Sequence, residues 1–111
     1  MRISEQKFTE ILARLAKNDP TLTHLDLSKQ ELKDDDIHKL VRSAQHNTHI
    51  KILNLSHNNI TSLGALSLSS LPLDELDLWK NNISRTGAQA LAKNTHLQKL
   101  DRKSTRLNSS H

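Results

Sequence analysis

The chain has no cysteine and no tyrosine, a single phenylalanine (Phe8), a single tryptophan (Trp79), two glycines and two prolines. Without cysteine there is no disulfide scaffold and no thiolate metal site, a composition that suits a reducing, intracellular compartment. Two isolated glycines, Gly64 and Gly87, exclude a glycine-rich phosphate loop. With so few aromatics, any core has to be built from aliphatic side chains packed in register. No apolar run is long enough to span a bilayer, so no membrane partner is expected. The opening stretch, MRISEQKFTEILARLAKNDP, scatters charge through what would be the apolar centre of a Sec-type signal peptide. At 111 residues the chain is one domain at most, and its burial has to be efficient.

What the chain does have is an internal repeat. LTHLDLSKQEL from Leu22, IKILNLSHNNI from Ile50 and LDELDLWKNNI from Leu73 share one pattern, apolar-x-x-Leu-x-Leu-x-x-(Asn/Gln)-x-apolar. Successive starts lie 28, 23 and 24 residues apart, the last step reaching Leu97. Within each copy the pairs Leu25 and Leu27, Leu53 and Leu55, and Leu76 and Leu78 alternate with polar residues, the period of a short half-buried strand. This predicts parallel strands near 24–27, 52–55 and 75–78. A lone strand of this kind cannot bury its leucines, but a parallel stack can. After the first copy, Ile37, Leu40, Val41 and Ala44 recur at helical spacing behind the aspartate run Asp34–Asp36, which is suited to a helix start. After the third, Ala88, Leu91 and Ala92 offer small residues for close packing. The middle return, TSLGALSLSSLP, is short and serine-rich and predicts an irregular or single-turn segment.

These segments resemble the leucine-rich repeat family, whose conserved stretch reads LxxLxLxxNxL, over roughly residues 20 to 101. The resemblance implies an α/β fold: a repeat solenoid with short parallel strands on a concave face and helices or irregular turns on the convex one. It also implies that Asn58 and Asn81 form a buried amide ladder in the turns, with Gln30 as a departure expected to loosen the first repeat. The 28-residue repeat and the wording GAQALAKNTHL are similar to the ribonuclease-inhibitor-like subclass, which occurs in effectors of intracellular bacteria and in cytosolic immune sensors. Delivery into a host cell follows from that likeness only. Residues 1–20, with Phe8, Ile11, Leu12, Leu15 and Ala16 on one face and Ser4 as a cap, read as an N-terminal capping helix. Its polar face mixes Glu5, Glu10, Lys7 and Arg14, unlike the basic face of a membrane-surface helix.

Residues 21–100 therefore read as three repeats and the start of a fourth, which ends abruptly. The third leucine of LQKLDL should fall at position 102, where the chain has Arg102. Residues 101–111, DRKSTRLNSSH, resemble a translated reading frame of a common sequencing adapter and read as a non-native tail. On that reading the fragment is cut from a longer repeat protein. Self-association through the uncapped end at Leu97 and Leu100 is then expected. The whole chain carries 16 basic and 12 acidic residues, +4. The tail holds three basic and one acidic, so the first hundred residues carry 13 and 11, or +2. No basic stripe remains to suggest nucleic acid.

Catalytic and metal chemistry are hard to place. His24, Asp26 and Ser28 spell a hydrolytic triad in one line, but neighbours two apart on a strand lie about 7 Å from each other, too far for a nucleophile–base bond. Asp34, Asp35 and Asp36 lack the alternate ligands, glycine and distal glutamate of a calcium loop. His46 and His49 have no third ligand in sight. No enzyme, cofactor or metal is expected; a surface that binds another protein is. Alternate strand positions point out of the concave face: His24, Ile52, Glu75 and Lys99 in one column, and Asp26, Asn54 and Asp77 in the next. Ser28, Ser56 and Trp79 form a third, with Lys29, His57 and Lys80 just beyond. Ile52 and Trp79 are large apolar residues at positions that packing does not require, which makes Trp79 the expected centre, with Asp77 and Lys80 as its rim. The competing reading is a substrate-recognition arm of a larger enzyme, as in bacterial-effector ubiquitin ligases of similar repeat type, its catalytic domain lying elsewhere.

Overall fold

The computed structural model describes residues 2–94 and the backbone of 99–101. Leu97, Arg102 and the rest of the tail lie outside the described residues, as do the side chains of Lys99, Leu100 and Asp101.

Strand and helix alternate along the chain: α1 (Glu5–Ala16), β1 (His24–Asp26), α2 (Asp34–Ser43), β2 (Ile52–Asn54), α3 (Ser62–Leu68), β3 (Glu75–Asp77), α4 (Arg85–Ala92) and β4 (Lys99–Asp101). The four strands pair in sequence order, all parallel, in one sheet. The register puts equivalent repeat positions side by side: Leu25, Leu53, Leu76 and Leu100 in one row, His24, Ile52, Glu75 and Lys99 in another. Hydrogen bonding runs one residue past each of the first two strands, with Leu27 N donating to Asn54 O and Leu55 N to Asp77 O, both at 2.8 Å.

Every repeat sends its apolar residues to the same places. Leu22, Ile50 and Leu73, then Leu25, Leu53 and Leu76, then Leu27, Leu55 and Leu78, then Leu32, Ile60 and Ile83 are all buried. The helices close the other side: α1 packs on α2, α2 on α3 and α3 on α4. Ile37, Leu40 and Ala44 come from α2 and its C-cap, Ala65 and Leu68 from α3, and Ala88 and Leu91 from α4. Each fully buried leucine or isoleucine contributes about 1.5–3 kcal/mol, so the columns are the main source of stability.

Phe8 and Leu15 of α1 join this core, while Ile11 and Leu12 pack half-buried against it. Ser4 caps the helix, its Oγ accepting from Lys7 N at 3.1 Å. Ala16, placed by sequence on an apolar face, and Ala92, expected to allow close packing, are exposed at the last turn of α1 and of α4, where the chain leaves the core.

The middle return departs most from expectation. It is a seven-residue helix, α3, rather than an irregular or single-turn segment. Its own sequence is a weak helix former, and the reason it holds lies partly in its neighbour. Asp34 of α2 reaches across, its Oδ1 accepting from Thr61 N at 2.8 Å and Gly64 N at 3.1 Å, which satisfies donors at the start of α3. Gly64 makes this approach possible. A Cβ there would lie 2.7 Å from Asp34 Oδ1 and 2.7 Å from Ile60 Cγ2. The outer side of α3 leaves Leu63 and Leu66 exposed.

Candidate functional site

The sheet face turned away from the helices is the concave face of the repeat pattern, and its turns are built by asparagines. Asn58 is buried, and its Oδ1 accepts from Gln30 N (3.1 Å) and Leu32 N (2.9 Å) of the preceding repeat. Its Nδ2 reaches Leu27 O, Leu55 O and Ser56 O at 2.9–3.1 Å. Asn81 does the same one repeat on, accepting from Ile60 N at 3.0 Å and reaching Leu55 O at 2.9 Å and Leu78 O at 3.2 Å. Gln30 stands apart. It is half-buried, and its Nε2 donates to Ser28 O of its own turn at 3.0 Å, so the repeat-to-repeat amide contact starts at Asn58.

A second set of amides, on the opposite ends of the repeats, was not singled out from sequence. Asn47 is buried, donates to Leu15 O at 2.9 Å, and accepts from His49 N and Ile50 N at 2.8 Å. Asn94 donates to Ser69 O and Leu71 O at 3.0 and 2.7 Å. Each reaches back to carbonyls at or just past the end of an earlier helix, α1 or α3, where intrahelical partners are lacking, and Asn47 also holds the approach to β2. The signal was the recurrence of Asn-Thr-His at 47–49 and 94–96.

On the open face, His24, Ile52 and Glu75 stand in register, exposed, half-buried and half-buried respectively. Asp26, Asn54 and Asp77 form the adjacent column. All three spend a side-chain oxygen on their own turns: Asp26 Oδ1 accepts from Ser28 N (3.0 Å), Asn54 Oδ1 from Ser56 N (3.0 Å), and Asp77 Oδ1 from Trp79 N (2.9 Å). The Ser28 amide, its hydroxyl and the nearby Lys29 hold the Asp26 carboxyl below the usual carboxylate range, against partial burial. These side chains shape the strand ends as well as facing solvent.

The third column is uneven. Ser28 is half-buried, Ser56 is buried rather than open to a partner, and Trp79 remains 37 % exposed. The indole lies edge-on to the His57 ring, centroids 5.3 Å apart, and Lys80 Nζ sits 5.5 Å from its centre. Trp79 thus covers part of the neighbouring turn and still presents a face to solvent. Ile52 lies on the neighbouring strand in register with Glu75, so it stands on the same sheet face but about 13 Å along the strand direction from Trp79.

The residues that spell a triad do not assemble one. His24 Nδ1 lies 3.0 Å from Thr23 Oγ1, while Asp26 holds the Ser28 amide. His49 Nδ1 pairs with Asn18 Oδ1 at 2.9 Å, at the joint between α1 and the second repeat. Among the described residues no group of three His, Cys, Asp or Glu could hold a metal ion, and no helix is long and apolar enough to cross a membrane.

Residues 46–69 and 70–92 each match a family model described as Leucine Rich repeat. Among solved structures, leiomodin-1 actin-binding site 2 superposes with a TM-score of 0.77 at 21% identity, over 86% of this chain and 63% of that one. The tropomodulin C-terminal domain of Caenorhabditis elegans gives a TM-score of 0.75 at 18% identity, over 89% and 65%. The chain therefore spans just under two thirds of the length of each. No curated protein matches it. With the register, the buried leucine columns and the turn asparagines in place, residues 46–92 are leucine-rich repeats and the described residues adopt the leucine-rich repeat fold.

Proposed function

We propose that the chain is a non-catalytic protein-binding module that engages its partner on the open sheet face, with Trp79 at the centre. The observation that carries this is the exposure of the indole. It occupies a position that serine fills in the other two repeats, so the turn does not require it. Tryptophan is the residue type most enriched where truncation costs a protein interface about 2 kcal/mol or more. Ile52, Glu75 and His24 supply one side of the surface, and Asp77, Lys80, Asn54 and Asp26 the other. The shared fold of leiomodin-1 actin-binding site 2, itself a binding element, supports a protein as the partner class. An α-helix after each of the first three strands supports the ribonuclease-inhibitor-like subclass.

The experiment is affinity capture with immobilised wild type, Trp79→Ala and Asn59→Ala, the last altering an exposed outer-turn residue. Purified actin is the first defined probe, followed by cell lysate. Circular dichroism should show all three folded. Wild type and Asn59→Ala are expected to retain the same proteins and Trp79→Ala to lose them. Equal retention by both variants would remove Trp79 from the interface and overturn the reading.

A further inference from the structure

Beside Trp79, the ends of the strands carry a column of basic side chains that the fold does not ask for. Lys29, His57 and Lys80 occupy one position in three successive turns, each with a left-handed φ, of 59°, 57° and 62°. Glycine or asparagine takes that conformation at lower cost, so the backbone geometry alone does not select a basic residue. The turns are zipped together: Lys29 N donates to Ser56 O at 3.0 Å and His57 N to Trp79 O at 2.8 Å. Adjacent turns step by the strand spacing of about 4.8 Å, so the three groups span about 10 Å in a straight line.

Carboxylates stand beside this column as well. Asp26 and Asp77 each direct one oxygen to a backbone amide of their own turn, and Glu31 follows two residues after Lys29. A uniform polyanion would meet Asp26 and Asp77 alongside the basic column. A polypeptide can place carboxylates on one column, amide donors on the other and an apolar side chain against Trp79. We propose that the Lys29–His57–Lys80 rim, with Trp79 beside it, takes an acidic segment of a partner protein that carries an interspersed apolar residue. This names the partner class for the surface proposed above and rests on that reading.

The test uses the fluorescence of Trp79, the only tryptophan in a chain without tyrosine. The chain is titrated with a synthetic peptide of alternating glutamate and leucine, with its glutamine–leucine counterpart, and with a ten-nucleotide oligothymidylate. The glutamate peptide should shift the emission and bind roughly tenfold more tightly than the glutamine peptide, the difference shrinking as added salt shortens the screening length. Lys29→Glu and Lys80→Glu should each weaken it several-fold, while Lys7→Glu on α1 leaves it within about twofold. Equal binding of the two peptides, tighter binding of the oligonucleotide, or an equal loss in Lys7→Glu would overturn the proposal. Capture that depends on Trp79 without glutamate-peptide binding overturns the acidic segment alone. Glutamate-peptide binding with capture indifferent to Trp79→Ala overturns the function proposed for Trp79 and leaves the anion-binding rim.

Discussion

Replacing Asn58 with alanine tests whether the turn amides hold the repeats together. Of the groups Asn58 serves, some keep other partners. Leu55 O still accepts from Asn81 Nδ2 at 2.9 Å, and Ser56 O still accepts from Lys29 N at 3.0 Å. Leu32 N and Leu27 O do not: among the described residues, Asn58 is the only hydrogen-bond partner of either, and both residues are buried. Gln30 N loses its acceptor too, but at a half-buried site that water can reach. Each buried polar group left unpaired costs about 1–3 kcal/mol, so with two such groups Asn58→Ala should cost about 2–6 kcal/mol. That is a large part of the roughly 5–15 kcal/mol available to a small domain.

Gln30→Ala is the matched control. It removes one bond within a single half-buried turn and should cost about 1 kcal/mol or less. Asn58→Asp sharpens the comparison. It keeps an acceptor for Leu32 N but turns a carboxylate oxygen toward Leu27 O and Leu55 O, so it should be no more stable than the alanine variant. Urea unfolding followed by circular dichroism and by Trp79 fluorescence reads all three. If Asn58→Ala and Gln30→Ala fall within about 0.5 kcal/mol of each other, the amides do not carry the load assigned to them.

Gly64→Ala should destabilise by about 1–3 kcal/mol, because the new Cβ would meet Asp34 Oδ1 and Ile60 Cγ2 at 2.7 Å; a rise in melting temperature, the usual result for glycine in an exposed helix, would refute the close approach. Stability should also fall on acidification. Arg14, then Thr21, lower the Asp19 carboxyl from 3.8 to about 2, and Arg2, bidentate at 2.9 and 3.1 Å, lowers that of Asp36 despite burial. Their folded-state pKa values are depressed, so the stabilisation is complete above the unfolded value near 4 and is lost as pH falls toward 2. Arg2→Gln should therefore lower the melting temperature at pH 6, with an offset that shrinks as pH falls below the unfolded carboxylate value; an offset that stays constant with pH would remove the Arg2–Asp36 pair from the account.

The architecture was legible because a leucine at a fixed position is a strong constraint. Leu25, Leu53 and Leu76 have to face the same side of three parallel strands, and the sequence spacing places them there. What misled was the helical layer. The signal for α3 is divided between elements: Ala65 and Leu68 lie in its own sequence, while Asp34, which holds Thr61 N and Gly64 N, belongs to a different repeat. A window sliding along TSLGALSLSSLP cannot contain it. The same limit hid Asn47 and Asn94, whose side-chain amides donate to carbonyls 32 residues away for Asn47 and 23 and 25 for Asn94. Alternation along the strands did identify the outward columns. It could not say that Ser56 would be buried while Ser28 and Trp79 stay more open.

Alternation also cannot separate a side chain that merely points out of the sheet from one that holds its own turn, and Asp77 does both. Its Oδ1 accepts from Trp79 N at 2.9 Å, so any substitution that loses this oxygen disturbs the backbone on which the indole stands. The neighbouring repeat supplies the remedy. Asn54 makes the equivalent bond to Ser56 N at 3.0 Å with an amide oxygen. Asp77→Asn should therefore keep the turn and stay within about 0.5 kcal/mol of wild type, whereas Asp77→Ala should cost about 1 kcal/mol. Thermal unfolding of the two variants decides between them. Equal destabilisation would mean that the carboxylate charge, rather than the oxygen on the turn amide, is what the fold uses. If the turn account holds, Asp77→Asn removes a negative charge beside Lys80 without moving Trp79. It should then tighten the glutamate–leucine peptide, whereas Asp77→Ala changes charge and geometry together.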